Sequence, residues 1–205
     1  MNILQINKFL YPFGGAESYM FQLSKALKEQ GHNVQFWGMS NDKNIVEDEY
    51  NCFAEDINYQ TMGLPQKISS SFSTIYSFTN KKRISKILKK FKPDIVHIHN
   101  FNFQLTASIL PVIKKRNIKI VHTTHDSQLA CPYHRLYNFH QNRVCTDCIE
   151  GYFTQCIKNR CFDNSVVKST IGAVESILYH SLSYYDNYLD RIITPSKFLR
   201  DIISK

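Results

Sequence analysis

The sequence lacks any long apolar run, and none of its 205 residues form a stretch near the roughly 20 residues of a membrane span. Its first residues also lack a basic start followed by an apolar block, which is the pattern of a secretory signal. Neither an aromatic–basic platform nor a recognition-helix motif is present, so nucleic acid is not an expected partner. We therefore expect a cytoplasmic protein that binds no nucleic acid.

The composition that is present is that of a globular protein, with 43% hydrophobic and 20% charged residues. One domain with one sizeable core is the default expectation for this length. The formal net charge is +8, and a dense basic run lies between Lys81 and Lys92. Such a run fits either an anionic partner or surface, or a solvated helix face.

A glycine pair, Gly14 and Gly15, separates an apolar strand pattern at 2–6 from a helical pattern that stops at Gly31. Two glycines at such a junction allow close approach of the backbone, and the amide groups of the helix end favour a phosphate. The pair satisfies neither the G-x-G-x-x-G nor the P-loop pattern. It is therefore consistent with an anion site or with a tight turn that binds nothing.

Alternating strand and helix patterns continue along the chain and predict an α/β fold with a Rossmann-like, doubly wound parallel sheet. Two of the predicted strands end in polar residues, at His99-Asn100 and at His125-Asp126. Ligands of such sheets bind outside the carboxyl ends of the strands. Together with the glycine pair, these strand ends predict a site at that edge of the sheet.

Other patterns predict the helices in more detail. A helix capped by Asn80 is expected to end at Pro93, and Pro111 predicts a kink or a late start in the next helix. Apolar residues spaced along one face predict a single long helix over 166–189.

Five stretches, in this order and spacing, resemble the amino-terminal half of a retaining glycosyltransferase of the GT-B type, in family 4. They are Gly14-Gly15-Ala16-Glu17, Gly31-His32-Asn33-Val34, Pro93-Asp94-Ile95-Val96-His97-Ile98-His99, Thr124-His125-Asp126 and Ile193-Thr194-Pro195-Ser196. The resemblance implies that residues 1–205 form the acceptor-side domain of a two-domain enzyme whose carboxy-terminal, donor-binding domain is absent from this chain. It implies transfer of a hexose from a UDP- or GDP-sugar to a glycan or lipid-linked acceptor in surface polysaccharide biosynthesis, with no cofactor for catalysis.

Members of this family carry a Glu-x7-Glu pattern in the second domain, and Glu47 and Glu55 have that spacing. These glutamates lie in a polar stretch at 41–71, which we expect to be mostly loop with a short strand near 59–62. Because the glycine-rich and helical context of the family pattern is missing, we reject the match.

The resemblance also implies roles for individual residues. His125 and Asp126 are the expected catalytic pair, with His125 beside the reacting sugar and Asp126 orienting it or holding an acceptor hydroxyl. The alternative for His125 is a histidine that only caps its strand. The backbone of Gly14 and Gly15 is expected to face the donor diphosphate. The expected acceptor contacts are Glu17, His99, Asn100 and Arg135.

A Cys-rich insertion at 131–161 contains the pattern Cys145-x2-Cys148-x7-Cys156-x4-Cys161. Because disulfides are disfavoured in the cytosol, four thiolates around a structural zinc ion are the leading interpretation. Disulfides and free thiols are the alternatives. Further candidate ligands nearby are Cys131, His134 and His140, whereas Cys52 stands apart and is expected to be structural.

Two other functions are open. One is a non-catalytic, zinc-stabilised α/β module that binds a sugar or a phosphate, which suits the length of the chain. The other is half of a GT-B sugar-nucleotide epimerase, which would turn over a nucleotide-sugar without an acceptor. For the transferase, the basic run at 81–92 would support peripheral contact with anionic lipid at the inner face of the membrane.

Overall fold

The computed structural model describes residues 1–56 and 73–205. These residues form two compact units: the first contains 1–56, 73–123 and 188–193, and the second contains 124–187 and 194–205. The strand expected near 59–62 lies outside the described residues. Among the helices of the described ranges, none combines the length and the apolar character that a membrane span demands.

The first unit is built on a five-stranded parallel sheet with the strand order β2-β1-β3-β4-β5. The strands are β1 (Asn2–Ile6), β2 (Asn33–Trp37), β3 (Ile95–Ile98), β4 (Lys119–Thr123) and β5 (Arg191–Ile193). The helices of this unit that lie wholly within the described residues are α1 (Gly15–Glu29), α2 (Phe78–Phe91) and α3 (Leu110–Lys114), and a 3₁₀ turn at Ala107–Ile109 precedes α3.

This strand order confirms the predicted doubly wound sheet. The chain passes from β1 to β2 in one direction across the sheet, and from β2 over β1 to β3 and β4 in the other direction. Because parallel crossovers are right-handed, the connecting helices lie on opposite faces. Both faces of the sheet are consequently covered, and Leu4, Val96 and Ile98 are fully buried.

Helix α1 ends where the sequence predicts. Gly31 has a φ of +82°, which glycine adopts without strain. The His32 amide donates to the Leu27 carbonyl at 3.0 Å, and the Gly31 amide donates to the Lys28 carbonyl at 2.9 Å. This pair of bonds is a Schellman motif, which satisfies the last carbonyl groups of the helix.

The start of α2 differs from the prediction, and the start of α3 agrees with it. The cap of α2 is Ser77, whose hydroxyl accepts from the Asn80 amide at 3.1 Å, so the predicted cap at Asn80 is wrong. The buried Asn80 side chain instead donates to the Gln104 carbonyl at 2.7 Å. Pro111 lies in the first turn of α3, which is the predicted late start.

The second unit contains four helices in the described ranges: α4 (Thr154–Lys158), α5 (Val166–Ser181), α6 (Tyr184–Tyr188) and α7 (Lys197–Ile203). It also contains a 3₁₀ turn at Ile149–Gly151 and a hairpin of two short strands, Tyr137–Asn138 and Arg143–Val144. The prediction of one long helix over 166–189 is wrong. Ser183 has a φ of +50°, which breaks the helical path between α5 and α6.

The buried face of α5 also differs from the prediction. Val166, Val167 and Val174, which we expect in the core, are exposed. The buried positions are instead mostly small or polar: Ser169, Gly172, Ala173, Glu175, Ser176 and Tyr179. A Cβ atom on Gly172 would lie 2.6 Å from the Phe162 ring, so the small residues allow that ring to pack directly on the helix backbone.

Asp190 joins the edge strand β5 to the rest of the sheet. Its carboxylate accepts from the Ile120 amide at 2.9 Å, from Lys114 Nζ at 2.6 Å and from Lys119 Nζ at 2.9 Å. Its own amide donates to the Ile120 carbonyl at 2.9 Å. Partial burial by itself raises the pKa of Asp190, but these three donors outweigh it and hold the pKa well below its usual range.

Replacement of Asp190 by alanine should lower the free energy of unfolding by about 1–3 kcal/mol near neutral pH, because three donors lose a charged acceptor. A lowered folded-state pKa stabilises the fold above the unfolded pKa of about 3.9, and this contribution is lost as the pH falls toward the folded value. In urea unfolding, the deficit of Asp190→Ala should therefore stay constant from about pH 7 to about pH 5 and shrink as the pH falls below about 4. Asp201→Ala, which removes an exposed pair with Arg200, should change stability by less than about 0.5 kcal/mol. A deficit that does not depend on pH would contradict the role of the charge.

Candidate functional site

The candidate site of the first unit lies where the strand order reverses, between β1 and β3. Ile6 pairs with Ile98 in parallel register, so the carboxyl ends of the two strands are adjacent. Beyond the strands, the His99 amide donates to the Ile6 carbonyl at 2.8 Å, and the Lys8 amide donates to the Asn100 carbonyl at 2.9 Å. In doubly wound sheets this reversal is where the ligand crevice forms. The structure therefore places the predicted β3 strand end beside the loop that follows β1.

The side chain of Asn7 ties this region together. Its Nδ2 donates to Glu17 Oε1 and to the Phe9 carbonyl, both at 2.8 Å. Its Oδ1 accepts from the Asn100 amide at 2.9 Å. Asn7 is fully buried and thus links the end of β1, the first turn of α1 and the end of β3. Sequence reasoning singled out Glu17 and Asn100 but missed Asn7, although a polar residue directly after a buried strand is the same signal.

Gly38 holds the loop after β1 against the end of β2. A Cβ atom at this position would lie 2.2 Å from the Asn7 carbonyl oxygen and 2.8 Å from the Leu10 side chain. The next residue extends the contact, since the Met39 amide donates to the Lys8 carbonyl at 3.0 Å. The chain can pass here only without a side chain, so Gly38 supports the loop that carries Asn7.

The glycine pair has a different character. Helix α1 begins at Gly15 with Gly14 as its cap residue, and no side chain caps it. Neither glycine has a positive φ, and a Cβ atom on Gly15 would meet nothing within 4 Å. Local protein packing and turn geometry therefore do not account for the two glycines. The first amide groups of α1 have no partner within the helix, which leaves them suited to an anion.

Two histidines lie in the interior of the first unit, near the carboxyl end of β3. His99 is fully buried, with its Nε2 2.9 Å from Gln5 Oε1 and its ring packed against Tyr19. His97 is buried beside it, with ring centroids 4.4 Å apart and its Nε2 2.8 Å from Thr123 Oγ1. The burial of His97 and its contact with Thr123 indicate a structural role for this residue. The acceptor contact predicted for His99 stays a prediction, because the imidazole lies inside the unit.

The predicted catalytic pair belongs to the second unit. His125 and Asp126 follow β4 in the chain, and both are half-buried. Asp126 Oδ1 accepts from the Gln128 amide at 2.9 Å, and its Oδ2 lies 3.9 Å from His134 Nδ1. The carboxylate thus organises the turn that follows β4, while the catalytic roles of His125 and Asp126 stay predictions.

Arg135, the last predicted acceptor contact, also lies in the second unit. Its guanidinium carbon is 5.3 Å from the Tyr133 ring centroid and 5.4 Å from that of Phe139, which is cation–π geometry. The structure therefore brings Glu17, His99 and Asn100 together in the first unit and Arg135 onto an aromatic pair in the second.

Comparison with known proteins supports the resemblance seen in the sequence. The family described as Glycosyltransferase Family 4 matches residues 13–149, which is more than half of the chain. The chain belongs to glycosyltransferase family 4. A Klebsiella pneumoniae relative described as "Uncharacterized 42.6 kDa protein in cps region" is 29% identical over 149 residues, covering 67% of this family 4 chain and 40% of that protein.

Two solved structures are also similar to this family 4 chain. The catalytic domain of starch synthase IV from Arabidopsis thaliana, bound to ADP and acarbose, is 15% identical with a TM-score of 0.40, covering 93% of this chain and 51% of that one. UDP-GlcNAc 2-epimerase from Methanocaldococcus jannaschii is 17% identical with a TM-score of 0.36, covering 91% and 53%. The chain thus spans 40% of the Klebsiella relative and about half of each solved protein.

In this family 4 chain, Asn7→Ala should lower the free energy of unfolding by about 1–3 kcal/mol, because the buried Glu17 carboxylate and the Asn100 amide lose their partner. A double-mutant cycle with Glu17→Ala, measured by urea unfolding, should give a coupling of about 0.5–3 kcal/mol. Asn41→Ala is the matched control, since its side-chain bond to Asp56 is exposed. Strictly additive effects of Asn7→Ala and Glu17→Ala would contradict the link.

Proposed function

We propose that this chain is the acceptor-side domain of a retaining GT-B glycosyltransferase. The enzyme would transfer a hexosyl group from a nucleotide-sugar to a glycan or lipid-linked acceptor in surface polysaccharide biosynthesis. The observation that carries the proposal is the hydrogen-bonded group of Asn7, Glu17 and Asn100 where the strand order reverses between β1 and β3. The membership of the chain in glycosyltransferase family 4 supports it. The cps region in the printed name of the Klebsiella relative supports the polysaccharide role.

The donor diphosphate is proposed to lie against the start of α1. The space beside Gly15, where a Cβ atom would meet nothing within 4 Å, leaves room for a phosphate oxygen. The amide groups of the first turn form the positive end of the helix dipole. Negative charge grows on the leaving diphosphate as the glycosidic bond breaks. Fixed amide dipoles stabilise that charge without reorganisation, which lowers the barrier.

Glu17 is proposed to keep this first turn in place. The residue is 3% exposed, its Oε1 accepts from Asn7 Nδ2, and its Oε2 lies 3.5 Å from the position that a Cβ atom on Gly14 would take. Because this buried carboxylate lies close to Gly14 and is held by Asn7, it fixes the position of the backbone amide groups in the first turn of α1. A direct contact of Glu17 with an acceptor hydroxyl stays a prediction.

His125 is proposed to act at the reacting sugar, with its neutral imidazole as donor or acceptor toward a sugar hydroxyl and with Asp126 orienting it or binding the acceptor. Donor phosphate can take the proton of the acceptor hydroxyl, so the proposal needs no pair of protein carboxylates like that of a glycosidase. Other domains of the enzyme would supply most contacts to the nucleotide.

In an enzyme that includes the donor-binding domain, His125→Ala should lower kcat by about 10²-fold or more while changing donor affinity by much less. Initial rates with a radiolabelled nucleotide-sugar, together with calorimetric donor titration, separate the two effects. The control is His32→Ala, which should retain parental kinetics, because His32 takes part in the Schellman motif of α1 only through its backbone amide. Unchanged turnover in His125→Ala would remove this residue from the catalytic site.

Residues 1–205 expressed alone should bind UDP- or GDP-sugars weakly and transfer no sugar, because the proposal assigns most nucleotide contacts to a donor-binding domain outside these residues. Calorimetry and product analysis on the isolated chain test both points, and sugar transfer by this chain alone would contradict the proposal. With the donor-binding domain present, conversion of a nucleotide-sugar without any acceptor would identify an epimerase. Ligand binding without turnover would identify a binding module.

We also propose peripheral contact of the enzyme with anionic lipid at the inner face of the membrane. An open groove of about 700 Å³ between α2 and α3 supports this proposal. It is lined by Lys81, Lys82, Lys115 and Arg116 together with Phe78, which is 70% exposed. Cations around an exposed aromatic ring fit a surface of anionic headgroups. Part of the basic run has a structural use, since Arg83 donates to the Phe53 carbonyl and Lys86 to the Asn51 carbonyl.

Lys82→Glu and Lys115→Glu, which change the lining of this groove, should each weaken binding to vesicles by about fivefold or more, since one basic residue contributes about 1 kcal/mol at such a surface. Flotation with vesicles that contain about 30% anionic phospholipid measures the effect. The control is Lys25→Glu on α1, where Lys25 is exposed. Equal binding to zwitterionic vesicles, or an equal loss in the control, would contradict the proposed surface.

A further inference from the structure

The second unit gathers five cysteines around one small cavity. Their thiols, all buried and none in a disulfide, line a space of about 10 Å³, which is about the size of one water-sized sphere. The five are Cys131, Cys145, Cys148, Cys156 and Cys161. The spacing pattern in the sequence involves the last four, and the structure adds Cys131 to the same wall.

Separate pieces of chain bring these thiols together. Cys145 follows the second hairpin strand, and its amide donates to the Leu136 carbonyl at 2.9 Å. Cys148 directly precedes the 3₁₀ turn, whereas Cys156 lies within α4. Cys161 lies beyond the end of α4, and its amide donates to the Cys156 carbonyl at 3.2 Å. The cavity is therefore the point at which the hairpin, the turn and the short helix meet.

Regular structure alone gives this segment little support. Its hairpin strands have two residues each, and its helix has five. Five non-glycine residues within 131–161 have positive φ values, and they are His134, Leu136, Asn142, Glu150 and Arg160. Such conformations cost free energy and persist only where the surroundings fix them. A cross-link at the centre of the segment would provide that constraint.

The five cysteines line one cavity, but their side chains are not positioned to coordinate a metal ion. Across residues 1–56 and 73–205, no three Cys, His, Asp or Glu side chains already lie in an arrangement that could hold a metal ion. A metal at the cavity would therefore draw the sulfur atoms inward by rotation of short side chains. Cys156 and Cys161 already belong to one buried cluster, and the Cys161 amide donates to the Cys156 carbonyl at 3.2 Å.

We propose that Cys145, Cys148, Cys156 and Cys161 bind one Zn²⁺ ion. Four thiols lose their protons to solvent as four Zn–S bonds form, and the closed tetrahedral site leaves no position for substrate. The metal is therefore structural. Cys131 lines the same cavity but lies outside the spacing pattern of these four cysteines, and it packs with Ala130, Leu136, Ile149 and Ile202. We therefore assign it as a neighbour of the site and not as a ligand.

Metal analysis of the full chain, purified without added zinc, should find about one zinc ion per chain. Cys148→Ser should abolish this zinc, whereas Cys131→Ser and Cys52→Ser should retain it. Cys52 is the matched control because it is a buried free thiol of the first unit. Replacement by Co²⁺ should produce the thiolate-to-metal charge-transfer band and the intense visible absorption of a tetrahedral site.

A second measurement keeps the test decisive if Cys148→Ser fails to fold. Chelation of the parental chain should release its zinc, expose four further thiols to titration and lower Tm, and added zinc should restore all three. Metal-free chain with every thiol titratable would overturn the proposal, as would a chain two hydrogens lighter that contains a disulfide. Loss of zinc in Cys131→Ser would overturn the ligand assignment. None of these outcomes depends on whether the chain takes part in sugar transfer.

Discussion

Glu17 brings a carboxylate into the interior of the first unit, and a buried carboxylate is costly unless donors reach it. Asn7 meets that need and at the same time accepts the Asn100 amide, so one side chain sets the spacing of two strand ends and a helix. The arrangement works only because the loop can approach β2 at Gly38, where no Cβ would fit. The diphosphate position that we propose at the start of α1 thus depends on the buried side-chain amide of Asn7.

Features of the fold that depend on local chemistry could be predicted from the sequence. Gly31 ends α1 and Pro111 delays α3 because their backbone preferences act within one turn. The predicted cap of α2 is wrong because Ser77 and Asn80 are both good capping residues. Which of them caps the helix depends on a distant hydrogen bond, from the Asn80 side chain to the Gln104 carbonyl. The prediction of the buried face of α5 is wrong for a similar reason. The Phe162 ring packs against the small residues of the helix, so those residues are buried and the valines are not.

The candidate site shows the same division. Polar strand ends predicted the region at Glu17 and Asn100, because parallel strands end at one edge of a sheet. The roles of Asn7 and Gly38 were not predicted, because they depend on contacts between segments far apart in the chain: Asn7 with Asn100, and Gly38 with Asn7 and Leu10. Cysteine spacing identified four thiols, but only the folded segment shows that Cys131 lines the same cavity. The spacing of cysteines in the sequence identifies candidate ligands on neighbouring turns, but it does not show which side chains from other loops line the same cavity.

The last strand of the sheet has a consequence for the order of folding. β5 follows the whole Cys-rich segment and α5 in the chain, yet it pairs with β4 of the first unit. During synthesis, β4 therefore leaves the ribosome long before its partner does, and its outer edge waits unpaired while about 65 residues are made. Lys119 lies in β4 and Lys114 ends α3, and both form ion pairs with Asp190 once β5 has joined the sheet. Charge at the open edge would discourage premature pairing with other chains, and the same charge secures the correct strand when it arrives.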